Sequence, residues 1–155
     1  MNIDHIKEYQ LMQRLLRKLP VVDPWSTAVL NIAPEYSSMV SMQVAHYLSH
    51  GRRVLDIFSV DVPHHGESSH RYEVSFKEMN DALPILYDKV ILCQSLVLTG
   101  RNFKWVKEVL LDLGYENDDI ITVSLFQHDD SLFECDYIGE YCSEMPKFYW
   151  QRHNK

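Results

Sequence analysis

Between the apolar run "KVILCQ" and an amphipathic stretch lies a short turn, Thr99-Gly100-Arg101-Asn102, whose residue types suit a phosphate. The first N–H groups of a helix have no intrahelical partner and lie at the positive end of its dipole, so an oxyanion is stabilised there. Thr99 and Asn102 add side-chain donors, Gly100 lets the backbone approach closely, and Arg101 adds charge. Thr-Gly before a helix is equally an ordinary capping turn. Two readings therefore stand side by side, a phosphate cup and a corner.

Other clusters carry less chemistry. His64, His65 and His70, with Glu67, bring metal-ligating types together in "HHGESSH", but histidines spread along a polar loop lack fixed geometry and read more plainly as solvated. Asp129 and Asp130 form either a carboxylate pair or an acidic turn. Cys93 falls in an apolar strand, where a thiol behaves as a small hydrophobe, and no base is identifiable beside it. Trp25, Trp105 and Trp150 read as core or surface anchors before they read as ligand platforms.

The elements around these residues follow from hydrophobic periodicity. Ile3, Ile6, Met12, Leu15, Leu16 and Leu19 recur at helical spacing up to Pro20, which predicts an opening helix. "TAVLNIA" (Thr27 to Ala33) predicts a buried strand, and Ser37 or Ser38 then caps a helix carrying Val40, Val44 and Leu48, with Gly51 just past its end. Strands are also expected at Arg53 to Val60, Arg71 to Phe76, Lys89 to Gln94 and Ile120 to Phe126, with a helix from Phe103 to Leu113 ended by Gly114. Short apolar strands alternating with helices of ten or more residues predict parallel pairing, hence a three-layer α/β sandwich with a mainly parallel central sheet. In such sheets ligands sit beyond the carboxyl ends of the strands, where strand order reverses. That points to the loops at Pro34 to Ser38, Pro63 to His70 and Ser95 to Asn102.

A chain of 155 residues, 46% hydrophobic and without a Gly/Ser or Pro-rich linker, is expected to be one domain with an adequate core. With 15 Lys and Arg against 22 Asp and Glu, the net charge of −7 gives no general reason to bind a nucleic-acid backbone. "MNIDHIKEYQ" lacks the basic region and apolar core of a leader, and no segment approaches the roughly 20 apolar residues of a membrane span. The expectation is a soluble, cytoplasmic protein. Three cysteines, Cys93, Cys135 and Cys142, with no CxxC spacing, argue for reduced thiols.

Three segments in order resemble the type I phosphoribosyltransferases, specifically their 6-oxopurine (hypoxanthine, guanine or xanthine) branch. "VILCQSLVLTGRNFKWVKEVLLDLGY" resembles the signature in which an apolar strand runs into two acidic residues, three variable ones, Thr-Gly and a helix. "HHGESSHRYEVS" resembles the mobile hood loop and its strand, and "CDYIGEYCSEMPKFYWQ" the C-terminal purine-binding segment. The resemblance runs from about Asp23 to Gln151. It implies one phosphoribosyltransferase-like domain over residues 1–155: an N-terminal helix in 1–20, a hood loop and strand in 61–78, and a C-terminal hood segment in 127–155.

The resemblance also implies roles. Thr99, Gly100, Arg101 and Asn102 match the 5′-phosphate loop, Tyr137 and Ile138 the pair flanking the purine, and Glu144 an acidic metal or base contact; Trp150 is placed to stack on a base. The chain departs from the pattern where the two ribose-holding acids belong, at Gln94 and Ser95, and at Leu98, where the 6-oxopurine enzymes carry an acidic residue near the purine N7. The lysine that reads the exocyclic oxygen falls on or near Gln127, and the pyrophosphate loop is "APEYSS", with Pro34 removing an amide and Glu35 adding unfavourable charge. The expected function is therefore a non-catalytic phosphate- or nucleotide-binding or regulatory module. Its alternatives are an active purine phosphoribosyltransferase with unusual ligands, using Asp129, Asp130, Glu144 or a hood histidine and magnesium, and an interaction module reusing the fold. Relatives in this family often dimerise, so a homodimer or a protein partner is also implied.

Overall fold

A computed structural model describes residues 1–33, 38–62 and 87–148. Its elements are β1 (Asn2–Ile3), α1 (His5–Leu16), β2 (Thr27–Ala33), α2 (Ser38–Ser49), β3 (Asp56–Asp61), β4 (Lys89–Val97), α3 (Arg101–Asp112), β5 (Ile120–His128), β6 (Tyr137–Cys142) and β7 (Lys147–Phe148). The hood strand expected at Arg71 to Phe76, and the loops at 34–37 and 63–86, lie outside the described residues, as does Trp150.

Five strands form one sheet in the order β3-β2-β4-β5-β6, every neighbouring pair parallel. A parallel strand is covered on both faces, so its sequence must be apolar nearly throughout. β2, β4 and β5 meet that demand, and each face has its own core. On one, Leu11 and Leu15 of α1 and Val44 and Leu48 of α2 pack on Val29, Ile91 and Val123. On the other, Phe103, Val106, Val109 and Leu110 of α3 pack on Ala28, Leu30 and Leu92. The three-layer α/β sandwich with a parallel central sheet is thus present. β1 and β7 pair separately, Asn2 with Lys147 and Ile3 with Phe148. Among the described residues no helix is long and apolar enough to cross a membrane.

Element ends follow local chemistry. Asp4 caps α1 by accepting a hydrogen bond from the Lys7 amide at 2.8 Å. α1 stops at Leu16, short of Pro20, and the chain tightens through Lys18 N–H to Leu15 O and Leu19 N–H to Leu16 O, because a residue preceding proline avoids the α conformation. β3 starts at Asp56, later than the expected Arg53, because its first partner on β2 is Ala28; Arg53 instead lies over the Trp25 ring at 5.1 Å. β6, which apolar patterning misses, is held from outside its own sequence. Lys7 pairs with Glu140 at 3.1 Å, and the Lys18 ammonium donates to the Ile138 carbonyl at 3.1 Å. A side chain at Gly139 would overlap the Leu125 carbonyl oxygen, so close approach of β6 to β5 requires glycine there.

Glu8, on α1, is 6% exposed, and burial pushes its carboxyl up to about 7. A raised acid favours the folded state only while protonated, so its contribution is complete below about pH 4.5 and is lost as pH rises through about 7. Glu8→Gln is expected to gain about 1–2 kcal/mol relative to the parent at pH 8 and nothing at pH 4. Urea unfolding at the two pH values checks this.

Candidate phosphate-binding turn

β4 ends at Val97 and α3 begins at Arg101, so Leu98, Thr99 and Gly100 make the whole connection. Strand order reverses between β2 and β4, whose neighbours β3 and β5 lie on opposite sides, and this turn opens at that point on the carboxyl edge. Gly100 takes the left-handed conformation at φ 78° and is the N-cap of α3. Gly100 has no side chain with which to cap the helix, and the first turn contains no acidic residue. The Arg101 amide reaches the Thr99 hydroxyl oxygen at 3.3 Å, and the first intrahelical bond is Lys104 N–H to Gly100 O at 3.0 Å. The Asn102 and Phe103 amides therefore have no intrahelical acceptor. Arg101 and Lys104 are both exposed in this first turn, a placement that the helix dipole disfavours and an anion would offset.

The turn is held by a segment that the sequence did not single out. Leu132 N–H donates to the Thr99 carbonyl at 3.2 Å, and Phe133 stacks on Phe103 with ring centroids 5.6 Å apart. A Cβ at Gly100 would overlap Phe133 Cβ and lie 2.9 Å from Ser131 Oγ. The glycine is thus required by protein packing on one side, whatever approaches on the other.

The remaining candidate residues are spread. Gln94 and Ser95 lie within β4, both buried, and neighbouring strand residues point to opposite faces, so they do not converge on one ligand. Leu98 is 40% exposed beside the turn. Gln127 is buried, with its carboxamide oxygen accepting from the Cys135 amide at 3.1 Å. Tyr137 and Ile138 pair with Val123 and Ser124, four residues before Gln127 and His128 at the carboxyl edge, which is about 13 Å along the strand. They also pack into different cores, Tyr137 with the α1 and α2 side and Ile138 with the α3 side. Glu144 does reach the carboxyl edge, just past Cys142, where its carboxylate is 3.2 Å from the N-terminal amine. Among the described residues no three His, Cys, Asp or Glu side chains cluster to ligate a metal.

All three cysteines are buried free thiols. Burial raises each of them, Cys135 to about 12, so the Cys135 thiolate at neutral pH is scarcer by about 10³ than that of an ordinary cysteine. A thiol reagent is expected to label none in the native protein within an hour and all three after unfolding, counted by absorbance.

No family model and no curated protein sequence matches the chain. Solved structures do. A purine phosphoribosyltransferase from Pyrococcus horikoshii superposes with a TM-score of 0.66 at 14% identity, covering 97% of this chain and 93% of that one. The fold is that of the purine phosphoribosyltransferases. A xanthine-guanine-hypoxanthine phosphoribosyltransferase from Helicobacter pylori gives the same TM-score, 0.66, at 14% identity, covering 97% and 94% of the two chains. A hypoxanthine phosphoribosyltransferase from Staphylococcus aureus reaches 0.57 at 15% identity over 86% of this chain and 73% of the other. In a phosphoribosyltransferase fold of this kind the turn at Thr99 to Asn102 occupies the topological switch point, while the side chains around it are this chain's own.

Proposed function

We propose that this chain is a phosphoribosyltransferase-like protein that binds a phosphate or nucleotide at Thr99, Gly100, Arg101 and Asn102 without ordinary transferase turnover. The observation that carries the binding half is the acid-free N-terminus of α3, whose Asn102 and Phe103 amides have no intrahelical acceptor, with Arg101 exposed beside it. The observation that supports the non-catalytic half is the chemistry at Gln94 and Ser95, both buried in β4, neither of which can supply the ribose-holding carboxylates that the resemblance places there.

Transfer from phosphoribosyl pyrophosphate develops positive charge on the sugar and negative charge on the departing diphosphate, and catalysis rests on positioning the one and stabilising the other. Loss of one such stabiliser costs on the order of 10²–10³ in rate. With neither carboxylate present and Leu98 at the acidic position before Thr99, the bound sugar is not oriented for reaction.

Calorimetric titration with purine mononucleotides, and with phosphoribosyl pyrophosphate plus magnesium, is expected to give binding that Arg101→Ala weakens about tenfold, the loss of one charge-assisted contact. A purine panel assayed for pyrophosphate release is expected to show no turnover. Robust release abolished by Thr99→Ala would replace this reading with that of an active enzyme using unusual ligands. Absence of binding by every compound would leave an interaction module on the same fold.

A further inference from the structure

We infer that His128, held as a neutral imidazole protonated on Nε2, is the positioning residue that latches the 129–133 segment over the Thr99–Gly100 turn. The proton's place follows from the two groups that face the ring. The Asp130 amide lies 3.1 Å from Nδ1, and a backbone N–H can only donate, so Nδ1 carries the lone pair. The Ser143 carbonyl lies 3.2 Å from Nε2, and a carbonyl can only accept, so Nε2 carries the proton. Both partners are main chain and cannot exchange roles, so they demand the same tautomer.

From His128 a chain of bonds leads to the candidate site. Asp129 N–H donates to the Cys142 carbonyl and Ser131 N–H to the His128 carbonyl, each at 3.0 Å, fixing the turn to the carboxyl edge. Ser131 Oγ donates to the Phe133 carbonyl at 2.8 Å, and Leu132 N–H reaches the Thr99 carbonyl at 3.2 Å. The imidazole thus joins the segment after β6, through Ser143, to the backbone of the phosphate turn, and Phe133 carries the same connection to Gly100.

A second proton on the ring would release the latch. It would place an N–H at Nδ1 against the Asp130 N–H, and the Asp130 carboxylate, with Oδ2 3.8 Å from Nδ1, would compete for the new proton. Among the described residues, the other charged or titratable groups around this corner are Asp129 on the same turn, Tyr141, which interacts with Asp129 and with Glu134, and Glu140, Cys142, Glu144 and the N-terminal amine on the β6 side. β4 contributes Val97 beside Gln127, without charge.

The latch exists whether or not the turn binds phosphate, so it is tested in the ligand-free protein, and a null result in the nucleotide titration leaves it standing. The readout is the exchange rate of the Leu132 amide, corrected for intrinsic exchange, with the His128 ring nitrogens followed by NMR. His128→Asn keeps an acceptor near Nδ1 and loses the Ser143 contact; His128→Gln does the reverse. Protection at Leu132 is expected to match the parent in His128→Asn and to fall about tenfold or more in His128→Gln. On acidification the parent is expected to lose protection in step with the imidazole titration, and His128→Asn to keep it. Equal protection in all three proteins, a ring protonated on Nδ1 at neutral pH, or equal acid sensitivity in His128→Asn would each overturn the inference. Should His128→Gln fail to fold, the acid response of the parent against His128→Asn decides it alone.

Discussion

Gly100→Ala is expected to lower the unfolding free energy by about 2–5 kcal/mol and to abolish binding at the turn, as read by urea unfolding and by nucleotide titration. Two costs add. An alanine at φ 78° pays left-handed strain of about 1–2 kcal/mol. Its Cβ also has nowhere to go, because Phe133 Cβ occupies the space and Phe133 is stacked on Phe103 beneath. Pushing Phe133 aside adds an overpacking cost of about 1–3 kcal/mol and pulls Leu132 from the Thr99 carbonyl. Gly51 supplies the control. It has nearly the same backbone, φ 76°, with nothing within 4 Å of the position a Cβ would take, so Gly51→Ala should show the strain alone, about 1–2 kcal/mol, and leave binding intact. Equal losses in the two variants would mean that Phe133 yields freely and that the turn is not locked by its neighbour.

Asp136→Ala is expected to cost about 2–3 kcal/mol, since the carboxylate is itself exposed while its partner Thr122 is buried. One carboxylate oxygen of Asp136 accepts from the Thr122 amide at 2.8 Å and from the Thr122 hydroxyl at 2.9 Å, and the same hydroxyl accepts from the Asp136 amide at 2.9 Å. Thr122 is 1% exposed, so removing the carboxylate takes away the acceptor for its buried N–H and for its hydroxyl proton, while the hydroxyl oxygen keeps the residue 136 amide. The bonds sit one residue before the first β5–β6 pair, Val123 with Tyr137, and set the register of the whole edge strand. Asp136→Asn retains an acceptor of the right shape without its charge and is expected to lose about half as much. Urea unfolding ranks the variants, and faster amide exchange along β6 in Asp136→Ala would show that this strand loosens before the rest of the sheet.

The part of the fold legible in the sequence was the part whose burial is written locally. β2, β4 and β5 are apolar runs because both of their faces are covered, and α3 shows its stripe of Phe103, Val106, Val109 and Leu110 at helical spacing. β6 was not legible as a strand, since "YIGEYC" mixes charge, glycine and aromatic residues and is fixed by Lys7, Lys18 and Asp136 from elsewhere.

At the candidate site the turn itself was readable from its residue types, and its reason for a glycine was readable only in part. Gly100 suggests close approach, but that Phe133 is what approaches requires a contact across 33 positions of chain. The engagement of Gln127 with the Cys135 amide depends in the same way on how the 129–135 segment returns to β5. By contrast, the divergence of Gln94 from Ser95, and of Tyr137 from Ile138, follows from strand alternation once the strands are drawn. His128 gave no signal in sequence, because both of its partners are main-chain groups.

The pairing of β1 with β7 bears on the order in which the molecule assembles. Two residue pairs, Asn2 with Lys147 and Ile3 with Phe148, close a loop spanning nearly the entire chain, and so short a ribbon returns little against that closure entropy. The ribbon therefore forms after β4 and β5 have paired across some 30 positions, and it is the first connection to come apart. Phe148, edge-on to Phe126 at 5.6 Å, is then expected to complete the α1 side of the core after the sheet has formed.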